Sequence, residues 1–375
     1  MPRSTIHRIV VFGGGRWARI LVRVLRQILP EDAHILWVSQ HSYEAAAGWL
    51  RQNPISNLQL VRNVNLAAAA TDGVIIATAP ETHFTLAREA VALGLPTLCE
   101  KPVAADLAQA KILLELSQST GCPLGINLEF LHASYLQDFA ELLRNELVSS
   151  IHIDWQDPWS EERDSEIKYA EFYTDVMLDQ LPHCWSVLSV IRPENAGLHI
   201  REIRETPAGV VVIGKLGAIA ITCSLGRRAE QRIRRVSVNQ EEWVLDFAQE
   251  PGFVTHESLM TGNTWSGDRP LGRSLRSFVE VVGNPGQQRT WPLALSNCFN
   301  TVQCSQSASV LWRELLDKRI QDLQRRSTID PKNPEHVRLV IDRFLPEFAA
   351  KGHRFPVWTF EEQTEFVRTW LTGHP

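Results

Sequence analysis

The chain has 375 residues, 44% hydrophobic and 22% charged, with a formal net charge of −5. At roughly 150 residues per domain this suggests two domains with room for an appendage, large enough to form a core without disulfides or a structural metal. The composition excludes a disordered or collagen-like chain, and the mild acidity removes the simplest case for a nucleic-acid-binding protein.

From Met1 to Val11 there are basic residues but no apolar stretch followed by a small-residue cleavage site. Ile9 to Phe12 reads as a buried strand running into Gly13-Gly14-Gly15. Ile20, Leu21, Val24, Leu25 and Ile28 then fill one helix face, stopped by Pro30. His34 to Val38 is a strand, and Ser42 to Gln52 a helix with Ser42 at its N-cap. Gly73 to Thr78 is a strand, followed by a helix from His83 to Leu93 closed by Gly94. Thr97 to Cys99 is a strand, Asp106 to Gln118 a helix ending near Gly121, and Leu124 to Leu128 a strand. Strands alternating with helices predict a doubly wound parallel sheet in an α/β fold.

The rhythm then changes. Tyr135 to Leu147 is amphipathic, Ser150 to Trp155 alternates as a half-buried strand, and Glu171 to Ile191 is helical up to Pro193. Between Leu198 and Phe247 come strand-like runs at His199–Arg204, Gly209–Lys215, Ala218–Ser224, Arg234–Val238 and Trp243–Phe247. With no helices between them they predict an antiparallel sheet, so the C-terminal region is α+β. Val302 to Arg326 is a long helix, and the tail carries two Pro-punctuated amphipathic segments, the second opened by the capping box Thr359-x-x-Glu362.

Cys99, Cys122, Cys184, Cys223, Cys298 and Cys304 are scattered, with no C-x-x-C and no zinc spacing. They are expected as reduced, mostly buried thiols in a cytoplasmic protein without a metal. No apolar run reaches the roughly 18 residues needed to span a bilayer, so no membrane partner is expected.

Gly13-Gly14-Gly15-Arg16-Trp17-Ala18 fits G-x-G-x-x-A between a strand and a helix, the context of a dinucleotide site. Gly13 allows the tight turn, Gly15 the close approach of a pyrophosphate, and Ala18 close helix packing. The helix starting near Trp17 offers free N–H groups to phosphates. NAD sites usually place an acid at the end of the second strand; here Trp37-Val38-Ser39-Gln40-His41-Ser42 has none. Ser39 and Ser42 can donate hydrogen bonds, and Arg16 or His41 can supply positive charge. NADP(H) is therefore the preferred cofactor, with NAD(H) possible.

Glu100-Lys101-Pro102 ends a parallel strand, the edge where open α/β sheets bind ligands, and Lys101 can reach into that crevice. Asp179 and His183 stand four residues apart; if helical they share a face, although Pro182 lies between them. Histidine moves protons near neutral pH, and a nearby carboxylate orients it.

Taken in order, Gly13-Gly14-Gly15-x-x-Ala18, Ala77-Thr78-Ala79-Pro80-x-x-His83, Cys99-Glu100-Lys101-Pro102 and Leu178-Asp179-x-x-x-His183 resemble the glucose-fructose oxidoreductase / inositol dehydrogenase / MocA family. The resemblance covers about Ile6 to Val190 by motif. It implies a Rossmann domain at 1–128 and an α/β substrate and oligomerisation domain with a large open-faced sheet at 129–326, to which the tail's own pattern adds a helical extension at 327–375. It further implies that Lys101 contacts the reacting hydroxyl and nicotinamide ribose, Asp179 positions substrate and His183 is the general acid/base. Glu100 belongs to the same cofactor loop, and Thr78, Pro80 and His83 would lie at the nicotinamide end. Two departures surround the pocket: Glu129-Phe130 stands where Arg-Phe is frequent, and Ser186 where Asp is frequent.

Three functions follow. The first is NAD(P)-dependent hydride transfer at a C–OH/C=O carbon of a ring-shaped, sugar-like small molecule. The second is NADPH-dependent imine reduction, and the third a non-catalytic cofactor-sensing protein on the same fold. Arginines at 227, 228, 232, 234 and 235, and at 269, 273 and 276, read as a solvated loop or sheet edge, with an anionic substrate handle as the alternative. An open sheet face would expose one apolar side unless covered, and the family resemblance implies that a second copy covers it, so a homodimer or homotetramer is expected. The tail aromatics Phe344, Phe348, Phe355, Trp358, Phe360, Phe366 and Trp370 need burial, on the Rossmann domain or across a subunit boundary. Of 12 tryptophans, Trp155, Trp159, Trp185 and Trp265 fall in the expected substrate domain and favour a flat or ring-shaped substrate.

Overall fold

The computed structural model describes residues 6–163, 166–193, 197–207, 209–265, 267–326 and 328–373. The first five residues of the N-terminal reading and the boundary at Ser327 lie outside them. Two compact units emerge: Met1–Ser134 with Trp265–Val302, and Tyr135–Thr264 with Gln303–Pro375.

The first unit opens with β1 (Arg8–Phe12), α1 (Arg16–Ile28), β2 (His34–Val38), α2 (Tyr43–Gln52) and β3 (Leu58–Val61). It continues through β4 (Gly73–Ile76), α3 (Pro80–Ala92), β5 (Thr97–Cys99), α4 (Leu107–Thr120) and β6 (Leu124–Ile126). The six strands form one parallel sheet in the order β3-β2-β1-β4-β5-β6. This is the doubly wound arrangement the alternation predicts. α1 buries Ala18, Leu21, Val22 and Leu25, a stripe at helical spacing on the sheet side. α4 starts at Asp106, whose carboxylate accepts from Gln109 N–H at 2.8 Å, and ends at the left-handed Gly121. Ser42 precedes α2 but makes no side-chain cap bond. α3 begins at Pro80, earlier than expected, because proline suits the first helical position.

The second unit begins with α5 (Ser134–Leu142), β7 (Ser150–Pro158), β8 (Ser160–Arg163), β9 (Glu166–Tyr169) and α6 (Val176–Ile191). Then follow β10 (Leu198–Thr206), β11 (Gly209–Leu216), β12 (Ile219–Ala229), β13 (Ile233–Val238), β14 (Trp243–Asp246), β15 (Phe253–His256) and β16 (Leu259–Gly262). Eight of these strands form a mixed sheet, β10-β11-β12-β7-β13-β14-β15-β16, in which only β12 and β7 run parallel among the described residues. β8 and β9 form a separate hairpin. One face buries Ile151, Ile153, Val210, Val212, Ile221 and Cys223. The opposite face is not apolar throughout, as the alternation had suggested. It sets the half-buried His152, Asp154, Thr222 and Ser224 beside Val211 and Ile213, with His152 Nε2 3.0 Å from Asp154 Oδ1.

Three helices follow from α7 (Pro270–Gly283) and α8 (Leu295–Arg326) to α9 (Pro334–Ala350), and α10 (Phe360–Leu371) ends the chain. The segment Trp265–Val302, which the sequence had grouped with the substrate region, belongs to the first unit. There Ser274 Oγ donates to Asn127 Oδ1 at 2.7 Å. The tail packs on the second unit. Trp159 Nε1 donates to Trp358 O at 2.8 Å and Tyr173 OH to Phe355 O at 2.5 Å. The capping box at Thr359 and Glu362 forms as read.

Candidate active site

In the first unit the glycine turn joins β1 to α1. Gly13 has φ +129°, and a Cβ there would lie 2.2 Å from Ala77 O, so only glycine fits. Its N–H donates to Val38 O at 3.0 Å, and its carbonyl accepts from Trp37 Nε1 at 2.5 Å. A Cβ at Gly14 would collide with Ser39 Oγ, whereas at Gly15 it would meet nothing within 4 Å. Gly15 is the N-cap of α1, whose first turn, starting with the half-buried Arg16 and Trp17, contains no acid. Exposed backbone N–H groups and open space at a helix start fit the pyrophosphate of a dinucleotide.

Ser39 is 3% exposed and shapes this turn from below, while His41 and Ser42 are exposed at the tip after β2. The unrecognised strand β3 adds a residue to that tip. Ser39 N–H donates to Val61 O, and the next residue, Arg62, lies 4.1 Å from the Tyr43 ring centroid and pairs with Glu44 at 2.5 Å. A cation and an acid outside the Ser39–Ser42 run therefore stand beside this tip.

The Glu100-Lys101-Pro102 run follows β5. Glu100 is tied inward: its Oε1 accepts from Trp17 Nε1 at 2.5 Å and from Asn127 Nδ2 at 2.6 Å. Burial raises its pKa, opposed by those two bonds and by Lys101. Glu100 thus fastens the start of α1 to the end of β5, with Lys101 half-buried beside it. His83 on α3 is 1% exposed, with Nδ1 2.8 Å from Pro102 O and Nε2 3.0 Å from Thr78 O. Burial holds its pKa below the usual 6.5, and a neutral ring donates to only one of those carbonyls. His83 consequently spaces the Thr78 and Lys101-Pro102 loops. Thr78 Oγ1 lies 2.6 Å from Thr82 Oγ1, with Pro80 between them at the start of α3.

In the second unit α6 is helical through Pro182, so Asp179 and His183 share a face one turn apart. It starts at Val176, later than expected, because Asp175 caps it, accepting from Met177 N–H and from Ser309 Oγ at 2.8 Å each. Ser186, at the family's frequent Asp position, donates to Pro182 O at 2.8 Å. Asp179 and His183 are half-buried on a helix that otherwise buries most of its surface.

Strand residues hold His183 in place. Trp155 on β7 lies flat against the imidazole, centroids 5.0 Å apart and planes 10° from parallel. Arg234, opposite Trp155 on β13, places its guanidinium carbon 4.0 Å from the Trp155 ring centroid. Arg234 is anchored to Asp157 at 2.5 Å and to Gln156 O at 2.7 Å. Gln180, beside Asp179, closes the network through Asp157 Oδ2 at 3.0 Å and Gly226 O at 2.8 Å. Burial alone would raise the Asp157 pKa, but Arg234 and Lys168 hold it well below the carboxylate range. Sequence reading found His183 and missed this support, whose one visible sign is the alternation of Trp155 and Asp157 along a strand.

Arg269 and Arg276 are exposed as the solvated reading expects, but the first arginine group is not a solvated loop. Arg227 and Arg234 are each 3% exposed. Arg227 donates to Thr174 O at 2.6 Å and Arg228 pairs with Asp342 at 3.0 Å, so both secure the approach to α6 and the helix α9. Of the four substrate-domain tryptophans, Trp155 touches His183, Trp159 binds the tail, Trp185 is buried, and Trp265 belongs to the first unit. All six cysteines are buried thiols that form no disulfide. Among the described residues no helix is long and apolar enough to cross a membrane, and no cluster of metal-ligating side chains occurs.

Residues 7–128 match the Gfo/Idh/MocA oxidoreductase family, NAD-binding Rossmann fold. The chain is 45% identical over 58 residues to inositol 2-dehydrogenase of Leifsonia xyli subsp. xyli, covering 16% of this chain and 17% of that relative's length. It superposes on UDP-N-acetylglucosamine 3-dehydrogenase GnnA of Acidithiobacillus ferrooxidans with TM-score 0.63 at 17% identity, covering 82% of this chain and 98% of that one. Superposition on KijD10, a 3-ketoreductase from Actinomadura kijaniata in complex with TDP-benzene and NADP, gives TM-score 0.64 at 15% identity, covering 80% and 96%. At such identities the two structures speak for the fold. The family match therefore lies in the N-terminal Rossmann domain, residues 7–128, and the chain spans about a sixth of the length of the curated relative it matches.

Proposed function

We propose that the protein is an NAD(P)-dependent oxidoreductase that transfers a hydride at a C–OH/C=O carbon of a ring-shaped, sugar-like small molecule. The observation that carries this reading is the α6 face, where Asp179 and His183 stand one turn apart and Trp155 lies flat on the imidazole. The buried indole, with Arg234 over its ring, fixes the plane of the imidazole that would carry the proton. The inositol and sugar activities named for the relatives agree with it.

Bound NAD(P) would supply or accept the hydride, leaving proton transfer and polarisation to the protein. Gly13, Gly14, Gly15, Arg16 and Trp17 would hold its pyrophosphate, with Thr78, Pro80, Glu100 and Lys101 on the loops at the sheet edge. Lys101 polarises the substrate oxygen by a charge-assisted hydrogen bond, His183 gives or takes its proton, and Asp179 positions substrate and imidazole. NADP(H) is preferred, because Ser39 to Ser42 contain no acid and Arg62 adds a cation near the exposed His41 and Ser42. NAD(H) remains usable because Glu44 partly neutralises that cation. The protein acts in the cytoplasm, as homodimers or homotetramers joined through the open sheet face.

NADPH oxidation against a panel of cyclic ketones, aldehydes and cyclic imines tests the reading. A ring ketone is expected to turn over, with Lys101→Ala and His183→Ala each lowering kcat by about a hundredfold or more. Turnover of imines alone, or undiminished rates in both variants, would overturn it.

A further inference from the structure

The end of β7, the β8–β9 hairpin and the start of β13 bring four cations onto two carboxylates. Asp157 holds Arg234 at 2.5 Å and lies 3.9 Å from Lys168; Glu161 lies 3.4 Å from Lys168 and 3.9 Å from Arg163. Both acids are thus already engaged by other cations. The fourth cation, Arg232, precedes β13 opposite Asp157, since Ile233 pairs with Gln156. It is half-buried, its Nε is enclosed without a hydrogen-bond partner, and it makes no ion pair within 4.0 Å among the described residues. Burial lowers its pKa, Arg234 and Arg163 lower it further, and Asp157 and Glu161 oppose them.

A guanidinium withdrawn from water beside two other cations is costly unless an anion completes the site. Its fork of donors suits the paired oxygens of phosphate or carboxylate. The position is informative. Arg232 is two residues along β13 from Arg234, about 7 Å, and Arg234 covers the Trp155 that stacks on His183. An anion at Arg232 would therefore sit one step along the strand from Arg234, with Trp155 between Arg234 and the ring that carries the proton.

We propose that Arg232, aided by Lys168 and Arg163, binds an anionic group of the substrate, a phosphate or carboxylate remote from the reacting carbon. This rests on the assignment of His183 to proton transfer, and it narrows the substrate class to anionic ring compounds. Calorimetric titration of the full chain, saturated with NADPH so that the cofactor's own phosphate sites are filled, tests it with inorganic pyrophosphate in one arm and succinate in the other. Wild type is expected to bind at least one of them. Arg232→Gln should weaken that binding by about tenfold or more, while Arg276→Gln on the exposed pair with Asp268 leaves it unchanged. The arm that binds identifies phosphate or carboxylate as the group. Should Arg232→Gln fail to fold, Lys168→Gln is expected to weaken the same anion. No binding of either anion, or equal binding by wild type and variants, would overturn the proposal. Failure of NADPH to bind would instead count against the oxidoreductase reading, and comparing wild type with Arg232→Gln without cofactor would still decide the anion site.

Discussion

The glycine turn of the first unit and the His183 surroundings of the second are held by different means. Around Gly13 the fit is set by backbone: the turn sits on Ala77 O, donates to Val38 O, and is braced by Glu100 between Trp17 and Asn127. Around His183 the fit is set by side chains from separate elements, Trp155 and Asp157 on β7, Arg234 on β13 and Gln180 on α6. A backbone-built site binds a feature common to many ligands, such as a pyrophosphate, whereas a side-chain-built site can be rewritten strand by strand.

If the division is right, damage should differ in kind between the two places. The largest effect is expected from Asp157→Ala, which leaves the buried Arg234 unpaired and costs about 3–5 kcal/mol. Urea denaturation reads the loss, and a cost under 1 kcal/mol would show that Asp157 does not hold the network. Gly13→Ala is next, at about 3 kcal/mol, because a Cβ at this positive φ must displace Ala77 O. NADPH affinity should collapse with it, measured by fluorescence titration, and retained affinity would refute the backbone cradle.

Acid sensitivity should come next and reside in the first unit. Burial, and secondarily Arg273, lowers His132 to about 4, and burial lowers His83 as well. A histidine depressed in the folded state adds stability above its unfolded value near 6.5, lost as pH falls toward the folded value. For His132 the loss between pH 7 and pH 4 is at most about 3 kcal/mol. His132→Gln should flatten that slope in urea unfolding across the range, and an unchanged slope would exclude it as the source. The smallest effect is expected at the exposed Arg62–Glu44 pair. Arg62→Gln should change stability by less than about 1 kcal/mol while lowering the ratio of NADPH to NADH affinity. An unchanged ratio would remove Arg62 from cofactor choice.

The same contrast explains what could be read from the chain. G-x-G-x-x-A, Glu100-Lys101 and the alternation of strands and helices are local patterns, so the Rossmann sheet was legible except for β3. That short edge strand, Leu58–Val61, is only half covered and carries a weak pattern, and with it Arg62 went unseen. His83 was recognisable as a motif residue, but its burial between two carbonyls depends on α3 packing beside the Pro102 loop. Asp179 and His183 were legible because helical spacing is local. Trp155, Asp157 and Arg234 were not, because their meeting depends on the register of β7 against β13, about eighty residues apart in the chain. The arginine run misled for a related reason: a charge run reads as solvated unless its carboxylate and carbonyl partners, here Asp342, Asp157 and Thr174, are known to be near.

The central claim is hydride transfer to a ring carbon with His183 moving the proton. Its most direct measurement is product analysis with NADPH carrying deuterium at C4, in both stereochemical forms, offered to cyclic sugar-like ketones. Deuterium from one of the two forms is expected at the former carbonyl carbon in wild type, with His183→Ala slowing its appearance by about a hundredfold or more. Product without deuterium from either form, or equal rates in wild type and variant, would contradict the claim.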